Sequence, residues 1–210
     1  MKMPLPRELG FFVPPEWEAH RATWLAWPRN PDTWPGVDLE RVEPAWAEMA
    51  KALVPQEEVN ILASADLHAR IGKILKKYEV TQSRVLLRDI PTNDAWMRDA
   101  GPIFLTCPKD PREAGSVRQH ALTDWEFNKW GGKYPPWDLD NLIPEKIAKL
   151  RGLQRFVPGM VLEGGSIDLN GKGALLTTEQ CLLNENRNPS LSRSEIEQKL
   201  RDYLGVTRIL

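Results

Sequence analysis

Cysteine is scarce in this chain of 210 residues, with only Cys107 and Cys181, so a disulfide framework is excluded and a reducing cytoplasm is the expected location. Net charge is missing as well. The 28 Lys+Arg oppose 29 Asp+Glu for a formal charge of −1, which leaves no field to attract nucleic acid or an acidic membrane surface. No uncharged apolar run approaches the roughly 20 residues that a membrane-spanning helix needs. The opening stretch MKMPLPRELGFF lacks the apolar segment of a signal peptide. Histidine is limited to His20, His68 and His120, no two in a short motif, so no zinc site of familiar ligand spacing is expected. A glycine-rich phosphate loop is absent too. Neither a metal nor a cofactor is expected, and nucleic acid and membrane are excluded as partners.

Tryptophan and proline, by contrast, are abundant at nine and 18 copies, and most of the tryptophans are expected to be core or half-buried packing residues. Length and composition predict one domain over residues 1–210. Short apolar strands alternate with amphipathic helices, which predicts an α/β or α+β class. Residues 23–27, 59–63 and 85–87 read as strands. Val42, Ala45, Trp46, Met49 and Leu53 predict a helix in which Pro44 is tolerable only in the first turn. Leu67, Ile71, Leu75 and Tyr78 predict a second helix, capped by Asp66. Further strands are expected at 103–106, 117–122, 155–157, 166–169 and 174–177. The connection 107–116 is expected to be the most mobile segment and 123–141 a long aromatic loop. A helix is predicted over 144–150, a type I′ turn at Asn170-Gly171, and a capping box at Ser192-Arg193-Ser194-Glu195 for a final helix. The rhythm strand, strand, helix, strand recurs about three times. Residues 205–210 begin another strand, so the chain's last residues read as the interior of a larger fold.

The densest polar cluster is TNDAWMRDAGP at residues 92–102, at the junction of two strands. Asp94, Trp96, Arg98 and Asp99 could bind a planar cation, because carboxylates accept paired N–H bonds and an indole face attracts positive charge. Arg98 could equally neutralise Asp94 or Asp99 in a turn. The second cluster is VLEGGSID at residues 161–168, where Glu163 could be held at depth while the glycines let the backbone bend around a ligand. The alternative is a surface turn with an exposed Glu. Neither cluster holds a nucleophile, Cys181 reads as a structural thiol and Cys107 as inert.

In order and spacing, five stretches resemble the agmatine deiminases, guanidine-modifying enzymes of the peptidylarginine-deiminase type. They are PPEWEAHRATWLAWP at 14–28, residues 92–102, DWEFNKWGGKY at 124–134, LEGGSI at 162–167 and TEQCLLNENRNP at 178–189. The resemblance implies a pentein-type α/β propeller of ββαβ modules, about three of five being present here. It implies hydrolysis of agmatine to N-carbamoylputrescine and ammonia, a step towards putrescine. It implies that Asp99 and Glu163 grip the guanidinium as the catalytic carboxylates, with Trp96 packed beside the substrate and Asp94 in the same substrate-binding cluster. A cysteine thiolate would attack the guanidinium carbon, a histidine would serve as acid and then base, and water would resolve the covalent intermediate.

That histidine, in a Gly-His-x-Asp segment, and that cysteine, in a late Gly-rich segment, have no counterpart among these residues. The domain is therefore expected to be incomplete at its C-terminus and this polypeptide inactive. Asp168 stands where the family commonly has His. Two other readings stay open. One is a peptidylarginine deiminase, disfavoured because the Trp-rich segment 123–137 is expected to close over a small free substrate. The other is a non-catalytic guanidinium-binding or assembly module, with a homo-oligomer or a complementing C-terminal chain as its partner.

Overall fold

The computed structural model describes residues 3–108 and 119–210. Most of the connection expected at 107–116, and the start of the strand expected at 117, lie outside the described residues. The chain forms two compact units, one from residues 19–97 and 136–140, the other from the described residues up to Glu18 with 98–135 and 141–210.

In the first unit, β1 (Ala22–Ala26), β2 (Glu58–Ala63) and β3 (Val85–Asp89) form an all-parallel sheet in the order β1-β2-β3. Parallel neighbours need crossover connections, supplied by α1 (Leu39–Leu53) and α2 (His68–Lys77). The central strand is buried over Val59, Ile61, Leu62 and Ala63, as expected of a strand flanked on both sides. Val59, Ile61 and Ala63 join Trp27, Ala47, Ala50, Ile71 and Leu75 in one core.

Two local expectations are corrected here. Helix α1 starts at Leu39, so Pro44 lies inside it rather than in its first turn. The amide that Pro44 lacks would have served the carbonyl of Glu40, an exposed residue where that oxygen can be hydrated. Asp66 does not cap α2. It sits inside a single 3-10 turn, Ala65–Leu67, that leads into the helix, and hydrogen bonding to Ser64 holds its carboxyl below the usual range. Buried Glu43 on α1 accepts from Trp27 Nε1 at 3.1 Å and from Arg70 Nε and Nη2 at 2.9 and 2.7 Å, which satisfies a carboxylate in the core.

The second unit holds residues 98–100 of the helical turn α3 (Met97–Ala100) and two sheets. In the first, β4 (Ile103–Cys107) pairs antiparallel with β5 (Gln119–Thr123), the turn α4 (Lys129–Gly132) and helix α5 (Ile143–Arg151) follow, and β6 (Gln154–Phe156) returns parallel to β5. In the second, β7 (Ile167–Leu169) pairs antiparallel with β8 (Ala174–Thr177), then come α6 (Glu179–Leu182), α7 (Arg193–Leu204) and β9 (Arg208–Ile209), which lies parallel to β8. Both sheets follow the expected strand, strand, helix, strand rhythm. The all-parallel sheet does not, because a helical crossover replaces its hairpin.

The hairpin between β7 and β8 is longer than a type I′ turn. Asn170 Oδ1 accepts from the amides of Lys172 and Ala174 at 2.8 and 3.0 Å, so the Asn side chain organises the loop. The capping box of α7 forms as expected, with Ser192 and Glu195 bonded reciprocally. Among the tryptophans only Trp17 and Trp96 are exposed.

Candidate functional site

Within the second unit, the chain around Glu163 is fixed from three sides. Residue Glu126 forms a parallel bridge with Val161, its amide donating to Met160 O and its carbonyl accepting from Leu162, both at 3.1 Å. The buried Asn188 side chain accepts from the Val161 amide at 2.9 Å and donates to Val161 O at 3.0 Å and Leu182 O at 3.3 Å. The Glu163 carbonyl then accepts from the amide and hydroxyl of Ser166, at 2.9 and 2.6 Å, closing a 3-10 turn.

Gly164 and Gly165 let this turn meet α3. A Cβ on Gly164 would strike the carbonyl oxygen of Arg98, and one on Gly165 would strike Asp99 Oδ1. Without them, Arg98 Nε donates to Gly164 O at 3.1 Å and the Gly165 amide donates to Asp99 Oδ1 at 2.9 Å. Arg98 also pairs with Glu16. The sequence offered Asp94 and Asp99 as partners for Arg98, and the structure gives it Glu16 and main-chain carbonyls instead. Asp99 is left with amide and indole donors, the second being Trp130 Nε1 at 3.3 Å from Oδ2.

Glu163 is 3% exposed, so it is held at depth and the surface-turn alternative is set aside. Its Oε1 accepts from Arg187 Nε at 2.5 Å. Its Oε2 is buried and has no hydrogen-bond partner among the described residues. A carboxylate oxygen withdrawn from water without a donor is costly unless a ligand serves it.

The other two expected site residues, Asp94 and Trp96, lie in the first unit. Asp94 is buried, its Oδ2 accepting from Thr33 Oγ1 at 2.7 Å and its Oδ1 from the Ala95 amide at 2.8 Å. The loop is tied down further by Asp140 Oδ1, which accepts from the amides of Asn93 and Asp94 at 2.7 and 3.2 Å. Trp96 is 42% exposed and stacks on Trp34 with ring centroids 6.4 Å apart and planes 29° from parallel. Trp34 in turn meets Trp46 edge to face at 5.9 Å. Trp96 is thus braced by an aromatic stack.

Sequence reasoning missed Arg187 and Trp130 as members of this neighbourhood. Both fall in the stretches matched to the family, but an Arg in NENRNP and a Trp beside Gly-Gly carry no sign of burial or of the carboxylate each will meet. Both thiols, Cys107 and Cys181, are partly buried and free. Among the described residues no group of three His, Cys, Asp or Glu could hold a metal ion, and no helix is long and apolar enough to cross a membrane.

The chain belongs to the Porphyromonas-type peptidyl-arginine deiminase family, whose profile it matches over residues 12–210. It is 41% identical over 210 residues to the agmatine deiminase of Pseudomonas aeruginosa (strain LESB58), covering 98% of this chain and 53% of that one. Against the agmatine deiminase of Medicago truncatula the identity is 38% over 205 residues, with 96% and 53% covered. Among solved structures it matches the agmatine deiminase of Enterococcus faecalis with a TM-score of 0.86 at 35% identity, covering 100% of this chain and 55% of that one. An agmatine deiminase of C. jejuni with substrate bound matches with a TM-score of 0.76 at 29% identity, with 95% and 55% covered. The fold is therefore of the pentein α/β propeller class, and the three sheets are three of its modules. The chain spans about half the length of the relatives it matches.

Proposed function

We propose that this chain supplies the guanidinium-gripping part of an agmatine deiminase, a cytoplasmic hydrolase that converts agmatine and water to N-carbamoylputrescine and ammonia on the way to putrescine. One observation carries the reading: Glu163 Oε2 is buried without a donor among the described residues, on a turn bonded directly to Asp99. A guanidinium offers paired N–H donors in one plane, which suits two carboxylates held on joined turns. Gripping it there fixes the carbon to be attacked, so the carboxylates contribute orientation as well as charge.

For Trp96 and Asp94 the reading rests on their place in the 92–102 motif. Trp96, at 42% exposure, brings an aromatic ring of the kind that packs against a flat cation. Asp94 acts through the loop that carries Trp96, since both of its oxygens already accept within the first unit. The thiolate and the histidine that complete the family's reaction have no counterpart in this sequence, so the 210-residue chain binds agmatine without releasing ammonia. A C-terminal chain that complements it, or a second copy, is the partner this reading calls for.

Isothermal titration of the 210-residue chain with agmatine tests the proposal. Binding should weaken at least about tenfold in Asp99→Asn and in Glu163→Gln, as expected on losing a charge-assisted hydrogen bond. Putrescine, which has no guanidinium, should bind more weakly than agmatine. Equal binding of agmatine by the chain and by both variants would overturn the reading. Ammonia release above a Glu163→Ala control would overturn the predicted inactivity alone.

A further inference from the structure

Neutral donors hold both oxygens of Asp99. The Gly165 amide donates to Oδ1 at 2.9 Å and the Trp130 indole Nε1 donates to Oδ2 at 3.3 Å. The cation next to it in sequence, Arg98, is turned elsewhere: it pairs with Glu16, and its Nε and Nη2 donate to the carbonyls of Gly164 and Ile167 at 3.1 and 3.4 Å. Each carboxylate oxygen has two acceptor directions. With one neutral donor on each, Asp99 is fixed in its plane and keeps both its charge and a second lone pair per oxygen for a two-pronged partner.

Trp130 reaches Asp99 from a backbone of unusual form. Lys129 and Trp130 adopt φ of 52° and 57°, and Gly131 and Gly132 follow at 86° and 74°. Four residues in succession thus lie in the left-handed region, which L-residues normally visit singly. The turn is tied from both ends. The Phe127 amide donates to Asn141 Oδ1 at 2.8 Å, Asn128 Oδ1 accepts from the Gly131 amide at 2.8 Å, and Asn128 Nδ2 donates to Asn186 O at 2.9 Å. A Cβ on Gly131 would collide with the side chains of Asn186 and Arg187.

The ring itself is braced as well. Phe127 and Tyr134 meet Trp130 edge to face, with centroids 5.5 and 6.1 Å away, and Lys129 Nζ lies 5.8 Å from the ring centroid. A strained run of this kind persists only where its surroundings over-determine it. Packing alone could be met by an aromatic side chain on ordinary backbone; what this turn adds is a single N–H directed at a carboxylate.

We propose that Trp130 is a positioning residue for Asp99: the left-handed turn at residues 129–132 aims its indole N–H at Oδ2 and orients the carboxylate without neutralising it, so that the substrate's guanidinium meets a fixed and fully charged partner. This rests on the reading of Asp99 as a guanidinium-gripping carboxylate. The chemistry accounts for the residue type. Indole donates one hydrogen bond and carries no charge, whereas a lysine or arginine in its place would form an ion pair with Asp99 and compete with the substrate.

The test is agmatine titration of the 210-residue chain and of Trp130→Phe, Asp99→Asn and the Trp130→Phe/Asp99→Asn double variant, with thermal unfolding of each with and without agmatine. Indole N–H resonances of the isotope-labelled chain are followed in parallel. Trp130→Phe keeps an aromatic ring and removes the donor, so it should weaken agmatine binding about threefold to tenfold, the worth of one hydrogen bond. In the Asp99→Asn background the same change should add less than about twofold, because its effect passes through the Asp99 carboxylate. The Trp130 indole resonance should move in Asp99→Asn, and again when agmatine is added to the unsubstituted chain. A ring that served packing alone would lower the unfolding midpoint in Trp130→Phe while leaving the affinity and the thermal shift produced by agmatine intact, and that result would overturn the proposal. An equally large loss with and without the Asp99 carboxylate, or an indole resonance indifferent to Asp99→Asn, would overturn it too. Agmatine binding that is absent from the unsubstituted chain, or unchanged in Asp99→Asn, would overturn the parent reading and this one together, whereas a loss in Asp99→Asn with none in Trp130→Phe would overturn this one alone.

Discussion

Asp99 is joined to Gly165 by a 2.9 Å hydrogen bond from the glycine amide to Oδ1, which places this carboxylate on the backbone two residues beyond Glu163. Residues 64 positions apart in the chain are thereby brought onto one pair of joined turns. The join depends on the absence of two methyl groups. That dependence makes the glycine pair a more sensitive probe of the site than either acid.

At Gly164 the atom in the way of a Cβ is a backbone oxygen, that of Arg98, and at Gly165 it is the side-chain oxygen of Asp99. The backbone has less freedom to retreat. Gly164→Ala should therefore destabilise the chain by about 1–3 kcal/mol, as overpacking does. Gly165→Ala should cost less stability but rotate Asp99 off its donor and weaken agmatine binding about tenfold. Urea midpoints and titration calorimetry on the two variants separate these outcomes, and a reversed order of stability loss would contradict the steric account.

Asn188 supports Glu163 from below. Its buried amide serves the N–H and C=O of Val161 and the C=O of Leu182, three main-chain groups with no strand partner at that point. Asn188→Ala should cost about 2–3 kcal/mol, because several buried polar groups lose their partner at once. Asn188→Asp should be no rescue, since a carboxylate accepts from Val161 but repels the two carbonyls. Chemical denaturation of both variants checks this, and an Asp variant as stable as the Asn parent would exclude the proposed donor role.

Much of the scaffold was legible because its signals are local. The capping box at Ser192, the helical spacing of Val42 and Leu53, and the strands at 59–63 and 103–106 each follow from neighbours within a few residues. Pro44 misled because a single missing N–H looks decisive in sequence, yet costs little where the orphaned carbonyl belongs to an exposed residue. Asn170-Gly171 suggested a two-residue turn, but the Asn side chain captured two amides and lengthened the loop. Asp99 and Glu163, which the structure brings onto joined turns, were singled out by the family motifs. Arg187 was not, since which arginine reaches a buried carboxylate depends on how residues 124–134, 161–168 and 178–189 pack together. Glu43 shows the same limit: nothing at its position in a helical repeat announces that Trp27 and Arg70 will meet it.

That meeting is testable in the first unit. Glu43 is 5% exposed while the Arg70 side chain is about half exposed, so the pair is anchored on the carboxylate side and open to water on the other. Arg70→Ala should cost about 1–2 kcal/mol, less than a fully buried pair because water can partly replace the guanidinium. Glu43→Gln should cost less than Glu43→Ala, since the amide oxygen still accepts from Trp27 Nε1. Urea unfolding followed by tryptophan fluorescence reads both comparisons, and an Arg70→Ala chain as stable as the parent would show the pair to be energetically idle.

The capping box of α7 yields a prediction with a sign in pH. Ser192 Oγ lies 2.7 Å from Glu195 Oε2, and its amide donates to the same oxygen at 2.8 Å. These bonds favour the charged carboxylate and hold Glu195 below the usual carboxylate range, the Ser192 hydroxyl being the larger cause. A carboxyl with a depressed folded-state pKa adds stability above its unfolded pKa and loses it as the pH falls through the folded value. Ser192→Ala should lower stability at pH 7 by about 1 kcal/mol through loss of the helix cap. It should also raise the Glu195 pKa, so that the difference between parent and variant narrows as the pH falls through the parent's depressed folded-state value and Glu195 becomes protonated in both. Urea midpoints for the pair at pH 7 and pH 3 measure this, and a difference that stays constant or widens in acid would show that the hydroxyl does not act through the Glu195 carboxylate.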